Sequence, residues 1–227
     1  MINPFKQVLG TALLAACLVS TASAGEAPEI KVGAGKLVFD ASGAVAYRSD
    51  QGEINLSVEF YAPGWSPRSQ WKLGPSASSL ESEGNNQWVW TNTFTQSGEV
   101  KAVLTEEVTA TETGVTISYR LEKDPGFRFE SASKGPHLEA VMPSASSSGQ
   151  GISVAGKSVT LPDDNFWAYG DTVLFPAWGL DITSAERLSL SVWKVGGGGG
   201  SSVRFPLKET ETLENGVVIY EGSFALN

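Results

Sequence analysis

The sequence predicts an all-β fold, a single large β-sandwich of two packed antiparallel sheets. Three observations carry that expectation. Apolar and polar residues alternate with a two-residue period in several segments, the pattern of strands with one face on a core and one in water. Beyond the N-terminal leader, no apolar stretch follows the 3.6-residue period of an amphipathic helix. Clusters of Gly, Pro, Asn, Asp and Ser separate the alternating runs, as short turns require.

In chain order, Ile54, Leu56, Val58 and Phe60 alternate with Asn55, Ser57 and Glu59, which places Glu59 on a solvent face. "NNQWVWTNTF" follows, Asn85 to Phe94, with Asn86, Trp88, Trp90, Asn92 and Phe94 on one face and Gln87, Val89, Thr91 and Thr93 on the other. The second face is small and polar, so Trp88 and Trp90 are expected in the core, with Asn86 or Asn92 as partners for their indole N–H groups. Glu99–Val108 and Gly114–Glu122 read as a hairpin turning around "ATETG", and its acids Glu106 and Glu107 are expected to face solvent. Val115, Ile117, Tyr119 and Leu121 alternate cleanly, as do Leu188, Leu190 and Val192. The run "VGGGGGSSV" between the Leu188–Lys194 and Val203–Leu207 strands reads as a floppy loop. About a dozen strands are expected between Ile30 and Leu226, in one domain spanning residues 25–227.

Residues 1–24 read as an export signal: Lys6 precedes the apolar run Val8–Val19, and Ala22-Ser23-Ala24 has the small-x-small form of a cleavage site. The run is too short to span a bilayer. Leu14-Ala15-Ala16-Cys17 gives an alternative, a lipoprotein signal of residues 1–16 with Cys17 lipidated. Both readings place the protein outside the cytoplasm, periplasmic or extracellular, with no integral membrane segment in the mature chain. Cleavage after Ala24 removes the only cysteine and leaves 15 basic against 25 acidic residues, a net charge of −10. Disulfides are then excluded as staples, and the acidic balance opposes nucleic acid as a partner.

Two motifs lose their usual meaning in context. Gly151–Ser158 fits the P-loop expression G-x-x-x-x-G-K-[ST], yet Ile152 and Val154 alternate like a strand and no helix signal follows Lys157, so a hairpin turning at Ala155-Gly156-Lys157 is expected. His137 is the single histidine, with no G-x-S-x-G elbow to accompany it. Glu139 alternates with Leu138 and Ala140 beside that histidine. A zinc site is excluded for want of His and Cys ligands.

Binding chemistry is more evident. "LPDDNFWAYGD", Leu161 to Asp171, reads as a long loop that sets Asp163, Asp164 and Asn165 beside Phe166, Trp167 and Tyr169. Rings cover the apolar faces of a pyranose while carboxylates and amides fix its hydroxyls. Asp163, Asp164 and Asp171 offer the oxygen ligands of a calcium site. "YAPGWSPRSQW" adds Trp65, Arg68, Gln70 and Trp71, stiffened by Pro63 and Pro67.

"GISVAGKSVTLP", "ERLSLSVWK", "SVRFPLKE" and "GVVIYEGSFALN" resemble the β-sandwich accessory domains of bacterial polysaccharide-processing enzymes. That resemblance implies a non-catalytic, glycan-associated sandwich. The leading expectation is therefore an exported protein that binds polysaccharide or oligosaccharide without turning it over. Its rivals are a hydrolase or lyase that attacks glycans with carboxylates, with Glu59, Glu106, Glu107, Glu130, Glu139, Asp163 and Asp164 as candidates, and a structural or assembly protein of the bacterial envelope.

Overall fold

The structure, a computed structural model, describes residues 27–227 except 72–73, 85, 97–98, 131–134, 164 and 197–198. The expected leader and Cys17 lie outside the described residues. The fold is all-β, a large curled antiparallel sheet. Among the described residues no helix is long and apolar enough to cross a membrane.

The chain opens with β1 (Glu29–Val32), β2 (Gly35–Phe39), β3 (Val45–Ser49) and β4 (Gly52–Ala62), each paired with the strand before it. β5 (Ser66–Ser69) turns back on the end of β4. A meander of β6 (Ala77–Gly84), β7 (Gln87–Thr95), β8 (Lys101–Ala110) and β9 (Val115–Lys123) follows. Then come β10 (His137–Met142), a single helical turn at Ser144–Ser147, and the hairpin of β11 (Gly151–Val154) with β12 (Lys157–Thr160). β13 (Phe166–Phe175), β14 (Leu180–Val195), β15 (Gly200–Pro206), β16 (Lys208–Thr212) and β17 (Val218–Leu226) complete the chain.

The 16-residue β14 organises the whole. Near its start, Ile182 to Ser184 pair with β17; near its end, Ser191 to Val195 pair with β15. One arm of the sheet thus runs β1–β2–β3–β4–β10–β15–β14, and the other runs β6–β7–β8–β9–β17–β14. The hydrogen-bond ladder is continuous through β14, where the sequence predicts two separate sheets.

Aromatic side chains join the arms. Phe39 stacks on Trp90 with ring centres 5.1 Å apart, Phe60 meets Phe94 edge-on at 5.1 Å, and Phe205 meets Phe224 at 5.7 Å. Trp88 and Trp90 are buried, as their strand face predicts. Asn92, however, gives its amide to the Ser42 carbonyl at 2.9 Å and accepts from Ser78, so it does not serve the Trp90 indole. Each such large apolar side chain contributes about 1.5–3 kcal/mol by leaving water.

The P-loop match is a hairpin, its turn made by Ala155 and Gly156 at φ 50° and 76°. Three expectations need correction. The stretch Phe166–Asp171 is strand β13 rather than loop. Gly200 is no floppy linker: it starts β15 at φ 109°, and a Cβ there would fall 2.0 Å from the Met142 carbonyl oxygen. Glu106 faces the core, not water, because it shares the face of Ala102, Leu104 and Val108. It accepts hydrogen bonds from Gln70 Nε2 at 2.6 Å and the Tyr119 hydroxyl at 3.3 Å, and burial pushes its carboxyl well above the usual range.

Candidate functional site

The first arm turns one face of β4, β10, β15 and β14 to the core through Val58, Phe60, Leu138, Ala140, Val203, Phe205, Leu190 and Val192. Its other face carries the chemistry. Strand register sets Trp167, Ser191, Arg204, Glu139 and Ser57 in one line across β13, β14, β15, β10 and β4. Two residues further along β4 and β10, Glu59 stands opposite His137. Ser57, Glu59, His137 and Glu139 are all at least nine-tenths buried. This corrects the solvent-facing assignment of Glu59: β4 is covered on both faces, one by the core and one by this polar cluster.

One guanidinium ties the cluster together. Arg204 Nε donates to Glu139 Oε1 at 2.9 Å, and Arg204 Nη2 donates to the Tyr61 hydroxyl at 3.0 Å. The same group lies 5.7 Å from the Tyr61 ring centre and 5.6 Å from that of Trp193. His137 stacks on Tyr61 at 6.4 Å, and its Nδ1 lies 3.2 Å from the Gly135 carbonyl, the geometry of a proton held on Nδ1.

The two carboxyls are driven apart. Burial, then the charge of Glu139, raises Glu59 to about 7. Burial also works to raise Glu139, but the charges of Arg204 and His137 and the Arg204 hydrogen bond outweigh it and hold Glu139 below the ordinary value. Burial and the Glu59 charge push the Tyr61 hydroxyl up to about 12. At neutral pH the site therefore holds one fixed anion, Glu139, compensated by Arg204, and one carboxyl able to give or take a proton, Glu59. Ligand atoms of Glu59, His137 and Glu139 lie within 4.8 Å of one another, close enough to share a cation.

Aromatic rings flank the cluster. Trp65 stands 5.9 Å from Tyr61 on one side, and Trp167 meets Trp193 edge-on at 5.7 Å on the other. Trp65 and Trp167 are more than half exposed, at 57% and 51%, as is Tyr169 beside Arg187.

The residues expected to bind ligand divide accordingly. Trp65, Trp167 and Tyr169 present exposed rings, with Asn165 accepting from the Trp167 indole N–H at 3.3 Å. Phe166, one residue from Trp167, packs against the core. Arg68 pairs with Phe60 in the ladder and so belongs to the face opposite Tyr61. Gln70 is buried, with its amide committed to Val58 N, the Ser42 carbonyl and Glu106. Trp71 is part-exposed just past β5. For the calcium set, Asp163 precedes β13, Asp171 accepts from the Thr172 hydroxyl at 3.0 Å, and Asp164 lies outside the described residues. The three-donor grouping that the described residues do form is the Glu59 cluster. Sequence reasoning left out Trp193 and Arg204 and met Tyr61 only as the start of "YAPGWSPRSQW", while Glu59 and Glu139 stood among its candidate carboxylates without being paired.

The expectation of binding without turnover is corrected: the aromatic surface carries two adjacent buried carboxyls, Glu59 and Glu139, where a bare stacking platform was expected. No family model matches the chain, and no curated protein matches it. Among solved structures it is similar to one described as "Putative aldose 1-epimerase" from Escherichia coli K12, an enzyme by that description. The two share 12% sequence identity with a TM-score of 0.48, over 88% of this chain and 98% of the other.

Proposed function

We propose that the protein is a carbohydrate-active enzyme that moves protons on a sugar ring. The observation that carries this reading is the Glu59–Glu139 pair, two buried carboxyls with opposed proton affinities, set between exposed tryptophans. Glu59 is the general acid and base. Glu139 and Arg204 are fixed charges that hold it at its working point, and His137 and Tyr61 supply polar contacts to ring hydroxyls. An inverting hydrolase separates its two carboxyls by about 6.5–9.5 Å to admit water. A retaining hydrolase sets them about 5–5.5 Å apart, flanking the bond. Donor atoms of Glu59 and Glu139 lie within 4.8 Å on one face of the sheet, which supports proton shuttling from one side of the ring. The two arms, joined through β14, act as a sandwich that supports this face.

The test is to incubate the protein with reducing sugars and oligosaccharides. NMR would follow anomeric exchange and isomerisation, and chromatography would follow chain cleavage. Turnover that Glu59→Gln reduces at least about 100-fold is expected, the usual range for a lost acid–base group. Unchanged turnover in that variant would remove Glu59 from the role.

A further inference from the structure

We infer that the substrate of this site is a neutral oligosaccharide of about four rings, lying across β4, β10, β15, β14 and β13 with Arg204 beneath its middle and Glu139 and Glu59 toward the Trp65 end. The inference rests on the acid–base reading above and adds the substrate class.

A single sugar needs no more than the central cluster, yet the aromatic surface continues past it on both sides. Trp167, Trp193, the Arg204 guanidinium, Tyr61 and Trp65 follow one another at 5.7, 5.6, 5.7 and 5.9 Å. From β13 to β4 there are four inter-strand spacings of about 4.8 Å, about 19 Å in all, roughly the length of four pyranose rings end to end.

Both ends are held in place before any ligand arrives. Trp65 sits at φ 58°, in the left-handed region that bulky side chains rarely occupy. Its turn is pinned by Glu130, whose Oε2 accepts from Gly64 N at 2.6 Å and Trp65 N at 3.2 Å, while Glu130 N donates to the Tyr61 carbonyl at 2.7 Å. Trp167 is fixed through its indole N–H to Asn165 and edge-on against Trp193. Rigid exposed rings lose little entropy on binding, which suits stacking on sugar faces. Charge selects the kind of sugar. The Arg204 guanidinium is already paired with Glu139 beside a second carboxyl, Glu59, so it is not free to receive the carboxylate of a uronic acid.

The test measures dissociation constants by calorimetry for neutral α- and β-linked gluco-oligosaccharides of one to six rings, with turnover of each followed by NMR. Affinity in at least one series should tighten at least about tenfold from one ring to four and then level. Trp167→Ala and Trp65→Ala should each weaken the four-ring ligand about tenfold, as loss of an aromatic anchor does, and leave the single sugar within about twofold. Glu130→Ala should follow Trp65→Ala in direction, while Trp65→Phe should retain most of the affinity. Affinity flat from one to six rings, equal loss on short and long ligands, or no binding in either series would overturn the proposal. Turnover unaffected by Glu59→Gln would instead overturn the acid–base reading, whatever the length dependence.

Discussion

Arg204 and Glu139 sit directly opposite each other on β15 and β10, joined by a 2.9 Å hydrogen bond between two side chains that are 19% and 7% exposed. An ion pair so deeply placed adds little net stability, because desolvation cancels much of the attraction, yet breaking it on one side leaves a buried charge. It sets the electrostatics of every other group in the cluster.

Arg204→Met should therefore destabilise the protein by about 3–5 kcal/mol at pH 7, measured by urea unfolding. Adding Glu139→Gln to that variant should recover most of the loss. If the double variant is no more stable than the single one, packing of the arginine stem and not charge explains the effect.

Glu59 makes stability depend on pH with a definite sign. Its folded value, about 7, lies above the unfolded one, so the native state binds the extra proton between those values. Its contribution is present at low pH and is lost as pH rises through about 7. Glu139, held below its unfolded value, contributes in the opposite sense and loses its share in acid. Glu59→Gln should flatten the fall in stability between about pH 5 and 7, with a gain on the order of 3 kcal/mol at pH 8 relative to the parent trend. A variant curve parallel to the parent would contradict this.

The same reasoning applies to Glu106, whose buried carboxyl is raised by burial first. Glu106→Gln keeps the shape and removes the ionisation, so it should resist alkaline unfolding better than the parent. Chemical denaturation at pH 6 and pH 9 measures the difference.

Core and platform tryptophans should separate cleanly in stability. Trp90→Ala removes a fully buried ring stacked on Phe39 and should cost about 3–5 kcal/mol. Trp167→Ala removes an exposed ring and should change stability by no more than about 0.5 kcal/mol. A large loss for Trp167→Ala would place it with the core instead.

What was legible in the sequence follows from local pattern. Alternation identified β4, β7 and β9, the hairpin of β8 and β9 turns where "ATETG" predicts, and the strand-like Ile152 and Val154 exposed the P-loop match as a turn. Alternation failed at Glu59 and Glu106 because it equates polar with wet. On β4 the polar face is buried under a site, and on β8 an acid stands in the apolar register. Neither Glu59 with Glu139 nor Glu139 with Arg204 is a local relationship: 80 and 65 residues separate the partners along the chain, and only the order β4–β10–β15 joins them. Trp167 and Tyr169 were recognised by residue type, but the strand that presents them was read as loop because Pro, Asp and Asn precede it.

The most direct measurement is a carbon-13 NMR titration of the glutamate side-chain carboxyls, with the Glu59 resonance assigned through Glu59→Gln. The Glu59 carboxyl should titrate with a midpoint of about 7, moving toward the ordinary carboxylate range when Glu139 is replaced by Gln, since its charge is removed. A midpoint between about 4 and 5 in the parent protein would contradict the assignment of Glu59 as the acid–base group.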